Sequence, residues 1–293
     1  MASLKEVKGR IATVNNTRKI TSAMKMVASA KLHKAQGAIA NMLPYERRLH
    51  GLLTNLLSGG GEVLSWNTPR EVKRVALVVF SSNSSLCGGF NANVIKQATA
   101  WLEKHQALDA KNVLIYPIGK KVADALQKQG YAVLGDFQQM ADKPSFAEAS
   151  ALAQQLMDMF ARGEVDRVEL LYNHFKSTAS QILTHEVYLP MTSEVCHPER
   201  SEESRVHPQE TDYILEPSRD ELLAILLPKV LRMKLYTVLL DSNASEHAAR
   251  TMAMQIATDN ADDLLQELTL MYNKTRQQAI TNELLDIVGG SMA

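Results

Sequence analysis

The residues best placed to do chemistry are Leu86-Cys87-Gly88-Gly89-Phe90-Asn91, where a β-branched run gives way to a helical pattern. A glycine-rich turn between strand and helix is where α/β proteins cradle phosphate, because backbone N–H groups and a helix N-terminus converge there. The order is wrong for that chemistry. G-x-G-x-x-G is absent, and Gly119-Lys120 lacks the upstream glycine of G-x-x-x-x-G-K-[ST]. The segment reads instead as a tight turn packing a strand against a helix. Cys87 would be a nucleophile only beside a histidine base, and it reads as a buried thiol. Cys196, His197 and His207 are zinc-ligand types, but their spacing is irregular and no fourth ligand accompanies them. No G-x-S-x-G or H-E-x-x-H run occurs. The sequence therefore predicts no catalytic residue, no bound cofactor and no metal.

The elements around this turn alternate between strand and helix. Val72 to Ser81 is a β-branched run, Asn91 to His105 has helical periodicity, and Asn112 to Ile118 is a second strand. Lys120 to Gln129 then reads as helix, Tyr131 to Phe137 as a short strand, and Ser145 to Arg162 as a helix closed by Gly163. Arg167 to Phe175 and Gln181 to Leu189, joined by the polar Lys176 to Ser180, form a hairpin. Three βα repeats predict a mainly parallel, three-layer sheet, with the hairpin adding strands at one side.

Two long helices flank this unit. From Lys229 to Val288 there is no Pro or Gly, and apolar residues recur every three or four positions until Gly289 and Gly290. Such a helix is roughly 90 Å long at about 1.5 Å per residue, longer than a globular domain is wide, so it must project and bury its stripe on a partner. Leu4 to Leu57 supplies one, with Leu4, Val7, Ile11 and Val14, then Met24, Ala28, Leu32, Ala35, Ile39 and Met42. Both helices leave the same α/β body, so they pair as an antiparallel coiled coil with both chain termini toward the far end. Ile256 and Leu264 are expected in the seam. Pro228 implies a bend or a late helix start.

The fold class is thus α/β: a long antiparallel two-helix coiled coil made by the N- and C-terminal helices, with a central Rossmann-like domain. The expected divisions are 1–60 for the first coiled-coil helix, 70–190 for the α/β domain, 192–211 for an exposed loop, and 218–288 for the last helix. Residues 192–211 are polar, carry Pro198 and Pro208, and show no hydrophobic period. Of 293 residues 45% are hydrophobic and 22% charged, an ordinary composition for a globular chain. No apolar run approaches the roughly 18 residues of a membrane span and no signal sequence opens the chain, so a cytosolic, reduced setting is expected.

A net charge of zero conceals a basic first helix. Lys5, Lys8, Arg10, Arg18, Lys19, Lys25, Lys31, Lys34, Arg47 and Arg48 face only Glu6 and Glu46 within the first fifty residues. The last helix leans acidic, with Asp259, Asp262, Asp263, Glu267, Glu283 and Asp286, so part of the imbalance can be answered across the seam. The remainder is either a solvated face or a surface for an acidic protein partner. A nucleic-acid-binding protein using this helix, a coiled-coil scaffold, and an enzyme with a coiled-coil arm are the alternative classes. The interleaved aromatic residues that stack on single strands are missing, Tyr45 being the one Phe, Tyr or Trp of the first fifty residues.

Three blocks carry a family resemblance: Lys19-Ile20-Thr21-Ser22-Ala23-Met24-Lys25-Met26-Val27, the Leu86 to Asn91 turn, and Ser245-Glu246-His247-Ala248-Ala249-Arg250 through Tyr272-Asn273-Lys274-Thr275-Arg276-Gln277 and Ile280-Thr281-Asn282-Glu283-Leu284. Over essentially its whole length the chain resembles the gamma subunit of F-type ATP synthase. The resemblance implies a central rotor shaft without a catalytic site of its own. Its partners would be three alpha and three beta subunits, an epsilon subunit and a membrane ring of c subunits, at the cytoplasmic face of the cell membrane. It also implies beta-subunit contacts at Lys19, Met24, Lys25, Arg276, Gln277, Thr281 and Glu283. Asn83, Ser84 and Ser85 replace the acidic and basic residues usual before the Leu-Cys-Gly turn, and Cys196 to Gln209 reads as an insertion.

Overall fold

A computed structural model describes residues 3–58, 70–105, 112–191, 216 and 218–291. The expected loop at 192–211, with Cys196, His197, His207 and the Cys196 to Gln209 insertion, lies outside them. The chain opens with α1 (Leu4–Ser58), enters an α/β body, and closes with α6 (Arg219–Ser291), a helix of 73 residues. At about 1.5 Å per residue α6 spans roughly 110 Å.

The body holds β1 (Val75–Phe80), α2 (Phe90–Lys104), β2 (Val113–Ile118), α3 (Lys120–Lys128), α4 (Gln138–Asp142), α5 (Phe146–Ala161), β3 (Arg167–Phe175) and β4 (Gln181–Leu189). The sheet order is β2-β1-β3-β4. β1 runs parallel to β2 and β3, and β3 and β4 form the antiparallel hairpin. Because β1 is covered on both faces, all six of its residues are buried, as its unbroken apolar run requires. Val75, Leu77 and Val79 face α2 and α3 with Val94, Ala98, Trp101, Val122 and Leu126. Ala76, Val78 and Phe80 face α5, the inner end of α1 and the first turns of α6, through Leu53, Leu156, Phe160, Leu231 and Leu235. This second layer roots both long helices in the body.

Four local expectations are corrected. Tyr131 to Phe137 does not form a strand; Val133 alone bridges Ile115. Gly130 and Gly135 take φ of 89° and 77°, and a Cβ at Gly135 would lie 2.4 Å from the Phe137 ring, so the segment turns where a strand would extend. Of the two outcomes expected at Pro228 the late start is excluded, since α6 starts at Arg219 and carries the proline inside it, and Gly289 and Gly290 do not end the helix. Ile256 and Leu264 are 52% and 44% exposed, so neither is in the seam. The seam on α6 runs through Ala244, Ala248, Met254, Ala261 and Leu268. Ile256 lies two residues past Met254, about 200° around the helix, and at Leu264 the neighbouring Leu265 turns inward instead. Apolar spacing alone allowed two stripes, and the position of α1 selects one.

Inside the body, Glu169 is 2% exposed yet fully partnered. It accepts hydrogen bonds from Trp101 Nε1 at 2.7 Å and His185 Nε2 at 2.5 Å, and pairs with Arg167 at 2.9 Å. Burial alone raises its pKa, but the His185, Arg167 and Trp101 donors together overcome burial and hold the carboxyl below its ordinary value. A carboxyl depressed in the folded state stabilises above its unfolded pKa of about 4.3, and that contribution is lost as pH falls through the folded value. Denaturant unfolding of the wild type is therefore expected to show an acid limb below about pH 4.3 that is shallower in Glu169→Gln. The same slope in both proteins would contradict this.

Candidate functional site

The coiled coil is antiparallel, since residue numbers fall along α1 as they rise along α6. Arg18 Nη1 meets Asp262 at 2.7 Å, Thr21 and Thr258 hydroxyls are 2.9 Å apart, and Leu32 and Ala35 pack on Ala244 and Ala248. Small residues near the body allow close helix approach. The Arg18–Asp262 pair answers part of the basic excess of α1; both side chains are about 40% exposed or more, so the pair contributes under about 1 kcal/mol. The apolar stripe read from the first helix is the buried one, with Val7, Ala28, Leu32 and Ala35 all in it.

The register leaves α6 longer than its partner. Counting fourteen residues outward from Arg18 and Asp262 reaches Leu4 and Arg276, and α6 continues fifteen residues further to Ser291. This outer stretch, past the described residues of α1, is roughly 22 Å long. It carries Ile280, Leu284, Leu285, Ile287 and Val288, all exposed. A row of large, exposed apolar side chains marks a surface for a partner.

The seven contact residues expected from resemblance fall on two levels of this shaft. Lys19 is exposed on α1, and Met24 and Lys25 are half-buried beside the seam. Arg276, Gln277, Thr281 and Glu283 are exposed on α6. Lys19 lies level with Asp262, fourteen residues and about 21 Å from Arg276, so the chain does not bring the two groups together.

The glycine-rich turn is built for structure. Cys87 is buried, and Asn91 ties the turn together, with Nδ2 donating to Ser82 Oγ at 2.8 Å and Oδ1 accepting from Ser82 N at 3.0 Å. Asn83 bridges two neighbouring segments, accepting from Lys120 N at 2.9 Å and donating to Gln138 O at 2.7 Å. Leu86 and Gly88 adopt φ of 67° and 59° to make the turn.

Strand order reverses between β1 and β3, the position at which α/β sheets bind ligands beyond the strand C-termini. Here α6 occupies that crevice. Asn243 Nδ2 donates to Ala141 O, Ser245 Oγ to Asn173 O, and Arg250 to Ser85 O. Only about 10 Å³ remains among Phe80, Ser81, Ser242, Asn243 and Glu246, room for a single water. Burial raises the Glu246 carboxyl despite Arg250 at 2.6 Å, and burial with Lys31 and Arg250 lowers His247 to about 4, leaving that imidazole neutral near pH 7. Sequence reasoning missed Asn243, Ser245 and Arg250 as binding groups, although two of them sit in the block that carried the family resemblance.

A family model described as ATP synthase matches residues 3–293. The ATP synthase gamma chain of Phocaeicola vulgatus is 67% identical over 100% of both chains, and that of Bacteroides thetaiotaomicron is 60% identical over 100% of both. Among solved structures, a chain of the Euglena gracilis mitochondrial ATP synthase, in an assembly described as OSCP, F1 and c-ring in a rotational state, superposes with a TM-score of 0.62 at 20% identity, over 99% of this chain and 93% of that one. A central-stalk chain of the Tetrahymena thermophila mitochondrial enzyme gives 0.55 at 21% identity, over 81% and 99%. With an antiparallel shaft rooted in an α/β body and a match running end to end, the chain belongs to the ATP synthase gamma-chain family.

Proposed function

We propose that this protein is the central rotor shaft of an F-type ATP synthase, coupling ion-driven rotation of a c ring to synthesis or hydrolysis of ATP on beta subunits. One observation carries the reading: a coiled coil fixed in a body at one end and reduced to a single apolar helical tip at the other. Three alpha and three beta subunits surround the shaft, while epsilon and the c ring hold the body. An asymmetric axle inside a ring touches each beta subunit differently at each angle. Those differential contacts shift the nucleotide affinities of the three sites, which is coupling between a rotation and a binding equilibrium.

Lys19, Met24 and Lys25 at one level, and Arg276, Gln277, Thr281 and Glu283 at the other, are the proposed beta contacts. Exposed charges suit a surface that must form and break contacts repeatedly, because such contacts are reversible and screened. No described helix is long and apolar enough to cross a membrane. The proposed location is peripheral, at the cytoplasmic face of the cell membrane through the c ring. The nucleic-acid reading loses its support because the stripe of the basic helix is buried on α6.

Native mass spectrometry of the chain co-expressed with its alpha and beta partners tests the assignment. One copy per three alpha and three beta is expected, with ATP turnover in the complex and none in the isolated chain. A chain that stays apart from the ring, or hydrolyses ATP alone, contradicts it.

A further inference from the structure

We propose that the end of β3, Asn173-His174-Phe175, and the α6 turn Asp241 to Ser245 form the joint that carries torque between the α/β body and the coiled coil; the inference rests on the rotor reading. Asp241 is the centre of the joint. Its Oδ1 accepts from Phe175 N at 2.8 Å and its Oδ2 lies 2.5 Å from His174 Nδ1. One turn along the same helix face, Ser245 Oγ donates to Asn173 O at 2.8 Å. Three consecutive residues of a strand are thus tied to one face of α6, two of them through main-chain atoms.

Phe175 adds a second element to the grip. Its side chain packs on the cluster of Leu32, Ala35, Ala244 and Ala248, so it touches the seam where both helices of the shaft meet. β3 is paired along both edges, to β1 and to β4, and such a strand is among the stiffest parts of a domain. Twist of a two-helix coil is opposed by the hydrogen bonds within each helix and by side-chain packing between them. Lateral ties from a stiff strand to both helices fix the angle of the coil relative to the body. The turn that follows β1 also touches α6, through Ser85 O at Arg250, and a Cβ added at Gly88 would lie 3.8 Å from that of Ala253, but it does so from a loop. The crevice that holds a ligand in related architectures here holds the shaft, and Asp241 and Ser245 take the part of the ligand's polar groups.

Angular fluctuation of the assembled motor tests this. The complex with alpha and beta is fixed by its ring, and a bead is attached to the body at Ala147→Cys in a Cys196→Ser chain, Ala147 being exposed on α5. The variance of the bead angle is recorded during pauses at low ATP. Asp241→Ala with Ser245→Ala is expected to raise the variance about twofold, while Asp241→Asn, which keeps an acceptor for Phe175 N–H, leaves it near the wild-type value. If the first pair does not assemble, His174→Ala with Ser245→Ala, which spares the Asp241 bond to Phe175 N–H, is expected to give a smaller rise. Variance unchanged in whichever pair assembles overturns the joint while the rotor reading stands. A wild-type complex that hydrolyses ATP without turning the bead overturns both.

Discussion

Ala248→Asp is expected to lower the stability of the isolated chain by about 3–5 kcal/mol, whereas Ile256→Asp is expected to change it by less than about 0.5 kcal/mol. The two positions lie eight residues apart on one helix, and both belong to the apolar pattern of the sequence. Ala248 is fully buried, and its neighbours Leu32, Ala35 and Ala244 offer no hydrogen bond to a carboxylate. The new charge must be desolvated without a partner, or the helices must separate. Ile256 is half-exposed, and a carboxylate there stays hydrated. Thermal unfolding separates the cases, with a drop of roughly 10 °C for the first variant. Equal shifts for both would show that the seam does not run through Ala244 and Ala248.

Arg276→Ala with Gln277→Ala is expected to leave folding and assembly intact while reducing ATP-driven proton or sodium pumping by about tenfold, the loss that about 1.4 kcal/mol of contact energy produces. Both residues are exposed on the outer part of α6, near the level where α1 begins. Alanine is the best helix former, so the backbone loses nothing, and a surface change of this kind costs under about 0.5 kcal/mol. What disappears is a set of donors aimed outward from the shaft. Unfolding midpoint, subunit stoichiometry and pumping are measured on one preparation. Full pumping by a normally assembled double variant contradicts the contact assignment, and a variant that cannot fold contradicts the separation of coupling from stability.

Legibility in the sequence followed the range of the interactions involved. The β3–β4 hairpin was readable to the residue, because a local polar break, Lys176 to Ser180, separates two strands that pair with each other. The long helices were readable because periodicity over fifty or more residues admits no other element. Tyr131 to Phe137 failed because two glycines in the left-handed region outweigh its strand composition. Pro228 failed as a boundary because the α6 turns around it are buried on the body through Leu223, Leu227 and Leu231, and that packing outweighs the lost hydrogen bond. Ile256 and Leu264 failed because a stripe shows that a face is buried only when the partner's direction is known.

The crevice was the least legible part. Asp241 binds residues 66 and 67 positions away, and Ser245 binds one 72 away, so neither shows any local signal. Asp241 follows the apolar run Val238 to Leu240 and Ser245 sits in the polar stretch after it, so both read as helix surface. The contact groups split for a related reason. Lys19 and Arg276 are placed on separate levels by the register of the coil, which the Arg18–Asp262 and Thr21–Thr258 pairs define and which no property of either helix alone specifies.

Rotation of a bead on the body, in a complex of this chain with alpha and beta subunits anchored by the ring, measures the central claim directly. Addition of ATP is expected to drive continuous turning in one direction, with three pauses per revolution set by the three beta sites and no turning when the chain is truncated before Arg276. ATP turnover at the normal rate with a stationary bead would contradict the assignment of this chain as the shaft.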